Sequence, residues 1–208
     1  MMGRRARFYL MLLVVGMAGV RVSAADCGYG DALKVHWSRM RGMLTAIAAA
    51  MPEDKYDYRP VKEVRSFREM LAHLVSDGYS HMGYVAGKSR EESAKLTEKY
   101  NNLKTRDELL KALGEAYDYG DNVLADLTDQ NAMDMVSGMR SERMTRVEAA
   151  LVAFEDQMDH YGNFVVYLRI NGVVPPDTAN AQQQRQQNQQ RQQQQQRQQT
   201  PQEEEHPH

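Results

Sequence analysis

The chain has 208 residues, of which 42% are hydrophobic and 26% charged, with a formal net charge of −2. That length suits one domain with appendages. Apart from its two ends the chain is net acidic, which excludes the basic face that nucleic-acid binding needs, and a single cysteine, Cys27, excludes an intramolecular disulfide.

The N-terminus reads as an address. Arg4, Arg5 and Arg7 precede an apolar run from Phe8 to Val20, and Val22-Ser23-Ala24-Ala25 supplies small residues for cleavage. That order is the signature of a secretory signal. Residues 1–25 are expected to be removed and the rest exported, to a periplasm or outside the cell. The run is short for a membrane span, and no later segment is apolar over the roughly 18 residues a span needs, so no transmembrane segment is expected. Cys27 follows the cleavage point closely. Asp26 before it is ill suited to lipoprotein processing, which prefers a small residue.

Four helices follow. The first is expected from about Asp31 to Met51, where Leu33, Trp37, Met40, Leu44, Ile47 and Met51 alternate by four and three and Pro52 ends the run. The second opens with Ser66 and Glu69 at capping-box spacing and carries Phe67, Leu71, Leu74, Gly78 and Val85 to a stop at Gly87. The third opens with Thr105 and Glu108, with a seam of Leu109, Leu113, Ala116, Gly120, Val123 and Leu127. The fourth opens with Thr145 and Glu148 and ends near Asn171-Gly172. Its seam is read as Val147, Leu151, Phe154, Met158, Tyr161, Val165 and Leu168. Its opposite flank, with Ala149, Val152, Ala153, Phe164 and Tyr167, is also apolar, so one side is expected to face the bundle and the other a second chain, giving a homodimer.

No strand pattern competes, and the fold class is all-α, a four-helix bundle over residues 28–176. The connections 87–104 and 129–144 are long enough to permit non-sequential neighbours. Residues 177–208 form a Gln-rich tail broken by Arg185, Arg191 and Arg197. With no apolar surface to bury it is expected to be disordered, its arginines keeping a Gln tract soluble.

Three segments together carry a resemblance. They are Met51-Pro52-Glu53-Asp54-Lys55-Tyr56-Asp57-Tyr58-Arg59-Pro60 with Val64-Arg65-Ser66-Phe67; Met70-Leu71-Ala72-His73-Leu74; and the run from His160 to Arg169 with Gly172-Val173-Val174-Pro175-Pro176. In that order they resemble the DinB-like (YfiT-like) family of four-helix-bundle metalloenzymes, over about residues 28–176. The resemblance implies up-down-down-up connectivity and a divalent metal held by three histidines, one in the second helix and two a turn apart in the fourth. Carried over, these fall on His73, on residue 156 and on His160. Residue 156 departs from the pattern, being Asp156.

Residues four apart share a helix face, so Asp156 and His160 can still grip one ion, and two imidazoles with a carboxylate are a known ligand set for zinc and for non-haem iron. The expected metal site is therefore His73, Asp156 and His160, taking zinc, manganese, iron or nickel, with the carboxylate shifting preference toward manganese or iron. Asp77, one turn after His73, would orient it. The alternative is a decayed site in which the histidines remain as polar core residues.

Two functions follow from this reading. One is a metal-dependent hydrolase or transferase acting on an unidentified small molecule. Relatives that are thiol-dependent transferases fit an exported chain poorly, so hydrolysis fits the compartment better. Asp77, Asp159 and Glu155 are the acidic groups near the ligands that a general base would come from. The other function is a non-catalytic binding or scaffold protein of the envelope.

Overall fold

The computed structural model describes residues 28–100, 102–139 and 142–199. The expected signal peptide and Cys27 lie outside them. Four long helices form the body: α1 (Tyr29–Ala50), α2 (Phe67–Val85), α4 (Arg106–Ala125) and α5 (Arg146–Ile170). A short helix, α3 (Arg90–Thr97), occupies the connection from α2 to α4, and α6 (Pro176–Gln199) follows the body.

The helix starts are set by local chemistry. Ser66, Thr105 and Thr145 each accept from the backbone N–H three residues on, and Glu69, Glu108 and Glu148 each reach back to the capping residue's N–H. Ser89 and Glu92 close a fourth box at the start of α3. α1 has no such box. Instead its Tyr29 N–H donates to Asp129 at 2.8 Å, a residue 100 positions away. The helices after which Gly87 and Gly172 stand end there because both glycines take positive φ, 81° and 74°.

Packing then places the helices. α1 neighbours α4 and α5, and α2 neighbours the same two, so sequential helices α1 and α2 do not pair. α1 and α4 run antiparallel: Arg106 at the start of α4 donates to the carbonyl of Ala49, and Gly30 lies against the Leu127 carbonyl. α2 and α5 are also antiparallel, with Phe67 against Phe164 at one end and Arg146 donating to the Val85 carbonyl at the other. The core of the α1–α4 half is Trp37. Its Nε1 donates to the Tyr117 carbonyl at 3.1 Å, and its ring lies where a side chain on Gly120 would have to be.

Several expectations need correction. The seam residues of α1, α2 and α4 are buried as expected. On α5 both flanks pack inward: Ala149, Ala153, Gln157, His160, Phe164 and Tyr167 are buried, and of the expected seam Leu168 is buried and Val147, Phe154, Tyr161 and Val165 pack against the core, while Leu151 and Met158 are 47% and 41% exposed. The 129–144 connection contains a two-stranded antiparallel hairpin, β1 (Met135–Ser137) with β2 (Arg143–Thr145), which tucks Val136 into the core. Residues 177–199, expected to be disordered, are helical within α6. Gln, Arg and Ala favour helix when nothing opposes it. Only the start of α6 rests on the body, where Tyr161 donates to Asp177 at 2.8 Å, and beyond Ala181 its described side chains are exposed. Among the described residues no helix is long and apolar enough to cross a membrane.

Candidate metal centre

The antiparallel α2–α5 pair sets two rows of polar side chains against each other. On α2 the row is His73, Asp77 and His81, each one turn after the last. On α5 it is Asp156 and His160. Because the helices run oppositely, His160 meets the first two of the α2 row and Asp156 reaches the third. Asp77 Oδ2 stands 3.1 Å from His73 Nε2 and 3.4 Å from His160 Nε2. The His73 and His160 rings meet edge to face with centroids 5.1 Å apart. Asp156 Oδ1 is 3.6 Å from His160 Nε2, and its Oδ2 is 3.6 Å from His81 Nδ1.

One ligand atom from each of His73, Asp77 and His160 can be chosen so that all three lie within 4.8 Å of one another, and this group could hold a metal ion. The donors fit one. Ligands bonded at about 2.0–2.1 Å in tetrahedral array stand about 3.3 Å apart, close to the 3.1 and 3.4 Å spacings around Asp77. The expected ligands His73 and His160 are thus brought together. Asp77, expected only to orient His73, stands between them as a third donor. Asp156 neighbours His160 and stands outside that group of three.

Electrostatics prepare the cluster. Burial holds His73 below the ordinary imidazole range, against the pull of Asp77, which favours the neutral form that a metal requires. Burial also tends to lower His160, but its hydrogen bond to Asp77 and the charges of Asp156 and Asp77 outweigh that and raise it. Burial pushes Asp156 above the usual carboxylate range. The charge of His81 opposes this and that of Asp77 adds to it. Polar atoms without partners collect here: both ring nitrogens of His81, Nδ1 of His160 and Oδ2 of Asp156 are buried with no hydrogen bond. Such groups are costly in a core and call for an explanation, such as an ion or a water.

The flank of the α2–α5 pair that carries this cluster is grooved on either side of it. Toward the start of α2, Pro60, Val64, Arg65, Met70 and Tyr167 help line a cleft of about 660 Å³. Toward its end, His81, Tyr84, Met144 and Val152 help line one of about 260 Å³ beneath the hairpin. In the sequence His73, Asp77 and His81 stand at i, i+4 and i+8, the spacing of a row that faces a common partner.

Residues 36–163 match the DinB superfamily. A DinB-like protein from Bacillus subtilis superposes with a TM-score of 0.55 at 20% identity, covering 68% of this chain and 92% of that one. A second, from Bacillus cereus, superposes with a TM-score of 0.59 at 11% identity, covering 69% and 93%. At these identities the likeness is one of fold. No curated protein is similar enough to this chain to count as a match. With the family match spanning more than half of the sequence, the chain belongs to the DinB superfamily.

Proposed function

We propose that this is an exported, divalent-metal-dependent hydrolase of a small molecule, with the ion held by His73, Asp77 and His160 and with Asp156 beside His160 as a further carboxylate. The observation that carries the reading is the convergence of two imidazoles and a carboxylate from α2 and α5, donors within 4.8 Å of one another, with His73 and Asp77 half-buried and His160 buried. A divalent ion in that set would supply Lewis acidity, polarising a carbonyl or making water more acidic. The chain's own residues do the rest. Asp77 brings one oxygen to 3.1 Å from His73 Nε2 and 3.4 Å from His160 Nε2, gathering the three donors, and burial favours neutral His73. Asp156, whose proton is held more tightly than usual, is placed to take or give a proton at the edge of the cluster. The signal-like N-terminus supports export.

The test is calorimetric titration of zinc, manganese and nickel into the wild-type chain and into His73→Ala, Asp77→Ala and Asp156→Ala. One equivalent bound by wild type, lost in His73→Ala and Asp77→Ala, is the expected result. If Asp77→Ala binds as wild type while Asp156→Ala does not, the third ligand is Asp156. A wild-type chain that binds no ion returns the cluster to a polar core and favours a scaffold protein. The exposed Leu151, Met158, Val166 and Ile170 on the outside of α5 support self-association as well. Light scattering that gives a monomer at high concentration would remove that part.

A further inference from the structure

The segment leading into α2 and the first turn of α2 hold three arginines in different situations. Arg59 makes a two-pronged contact with Glu69, both distances 2.8 Å. Arg68 is held by Asp57 at 2.7 Å. Among the described residues, no carboxylate lies within ion-pairing distance of Arg65. Its backbone is nevertheless fixed, since the Tyr167 hydroxyl donates to the Arg65 carbonyl and Ser66, the next residue, caps α2. An unpaired guanidinium on an anchored backbone therefore lines the 660 Å³ cleft, together with Met70 and Asn163.

That cleft adjoins the candidate metal centre. Met70 is one turn before His73 on α2, and Asn163 is just under one turn after His160 on α5, so the wall of the cleft and the ligands share the same strip of the helix pair. Asp77 and Asp156 balance the two charges of a divalent ion, so the centre by itself would not attract an anion. The guanidinium beside it would. Its planar donor fork suits carboxylate and phosphate alike, but Glu63 lines the same cleft and would repel a dianion more than a monoanion.

We propose that Arg65 is the anion-recognising residue of this groove, and that the substrate is a small molecule bearing a carboxylate, which Arg65 grips while the reacting bond faces His73, Asp77 and His160. This rests on the metal-centre reading above. Hexanoate is the probe, with hexanamide as its neutral counterpart and hexyl phosphate as the dianion. Each is titrated calorimetrically into the zinc-loaded and the metal-free full chain, as wild type, Arg65→Ala and Arg65→Lys.

Arg65→Ala is expected to weaken hexanoate binding roughly tenfold or more, with Arg65→Lys in between. Hexanamide should be indifferent to residue 65, and zinc affinity should be the same in all three chains. Equal hexanoate affinity in wild type and Arg65→Ala overturns the proposal. Tighter binding of hexyl phosphate than of hexanoate overturns the carboxylate assignment. If wild type takes up no zinc, the metal reading fails separately, and the metal-free titrations decide on Arg65: a loss of roughly threefold on Arg65→Ala upholds it, and no loss overturns it.

Discussion

The α1–α4 half and the α2–α5 half of the bundle are built on different principles. Between α1 and α4 the core of the contact is apolar, with the Arg41 ion pairs to Asp118 and Asp121 at its edge. Trp37 packs tilted on Tyr117 and stacks on Phe154 of α5, its one donor is satisfied, and Gly120 gives its ring room. Between α2 and α5 the same kind of helix surface buries His81, Gln157 and His160, and buried polar atoms without partners concentrate there. A four-helix fold needs only the first arrangement. The second costs stability unless an ion or water satisfies those atoms, which is what sets the polar half apart as the candidate site.

The largest expected effect breaks the apolar half. Trp37→Ala should cost about 3–5 kcal/mol by urea unfolding, the loss usual for a large buried aromatic side chain. Gly120→Ala should also destabilise, because a Cβ there would stand 2.3 Å from the Trp37 ring. A chain that tolerates both changes would mean the two halves are not built differently.

Next is the response of the polar half to an ion. At free zinc about 100 times its dissociation constant, the folded chain should gain about 2.7 kcal/mol, read as a raised melting temperature. Asp156→His, which restores a third histidine, should keep or enlarge the shift, since imidazole suits zinc. A shift seen only in Asp156→His would mean that the natural site has lost its metal.

Smaller, and opposite in sign to the Trp37 change, is His81→Leu. Both nitrogens of His81 are buried without a hydrogen bond, and its contact with Asp156 is long at 3.6 Å, so an apolar replacement of similar size should leave the metal-free chain as stable or raise it by about 1 kcal/mol. A loss above about 2 kcal/mol would show that His81 is satisfied by something in solution. Removing residues 182–208 should move the melting temperature by no more than a few degrees, the equivalent of about 1 kcal/mol or less, because the described side chains removed are exposed.

The smallest effect is a pH dependence at the start of α2, one turn before His73. The backbone N–H of Ser66, and then Arg59, hold Glu69 below its ordinary value of 4.5. Its contribution is therefore fully present above about pH 4.5–5 and is lost as pH falls through the lower folded value. Glu69→Gln should cost a few tenths of a kcal/mol at neutral pH. The gap to wild type should close in acid, as read by thermal melts from pH 7 to 3. A gap that widens in acid would contradict the assignment.

The sequence by itself determined the helix starts and stops. Ser66 with Glu69, Thr105 with Glu108 and Thr145 with Glu148 cap their helices through contacts three residues apart, and Gly87 and Gly172 stop theirs by backbone conformation. None of this needs a partner helix. The inner faces of α1, α2 and α4 were legible for the same reason, each carrying one apolar stripe. α5 carries apolar residues on two flanks, and one packs on α1 while the other packs on α2. The His73–Asp77–His81 row of α2 draws Asp156 and His160 toward itself and leaves Leu151 and Met158 outside. The role of Asp77 was hidden in the same way. One turn after His73 it reads as a support, and only the antiparallel docking of α5 puts His160 Nε2 3.4 Å from its oxygen and makes it a shared donor. Spacing along one helix fixes which residues share a face, and the second helix decides what that face can bind.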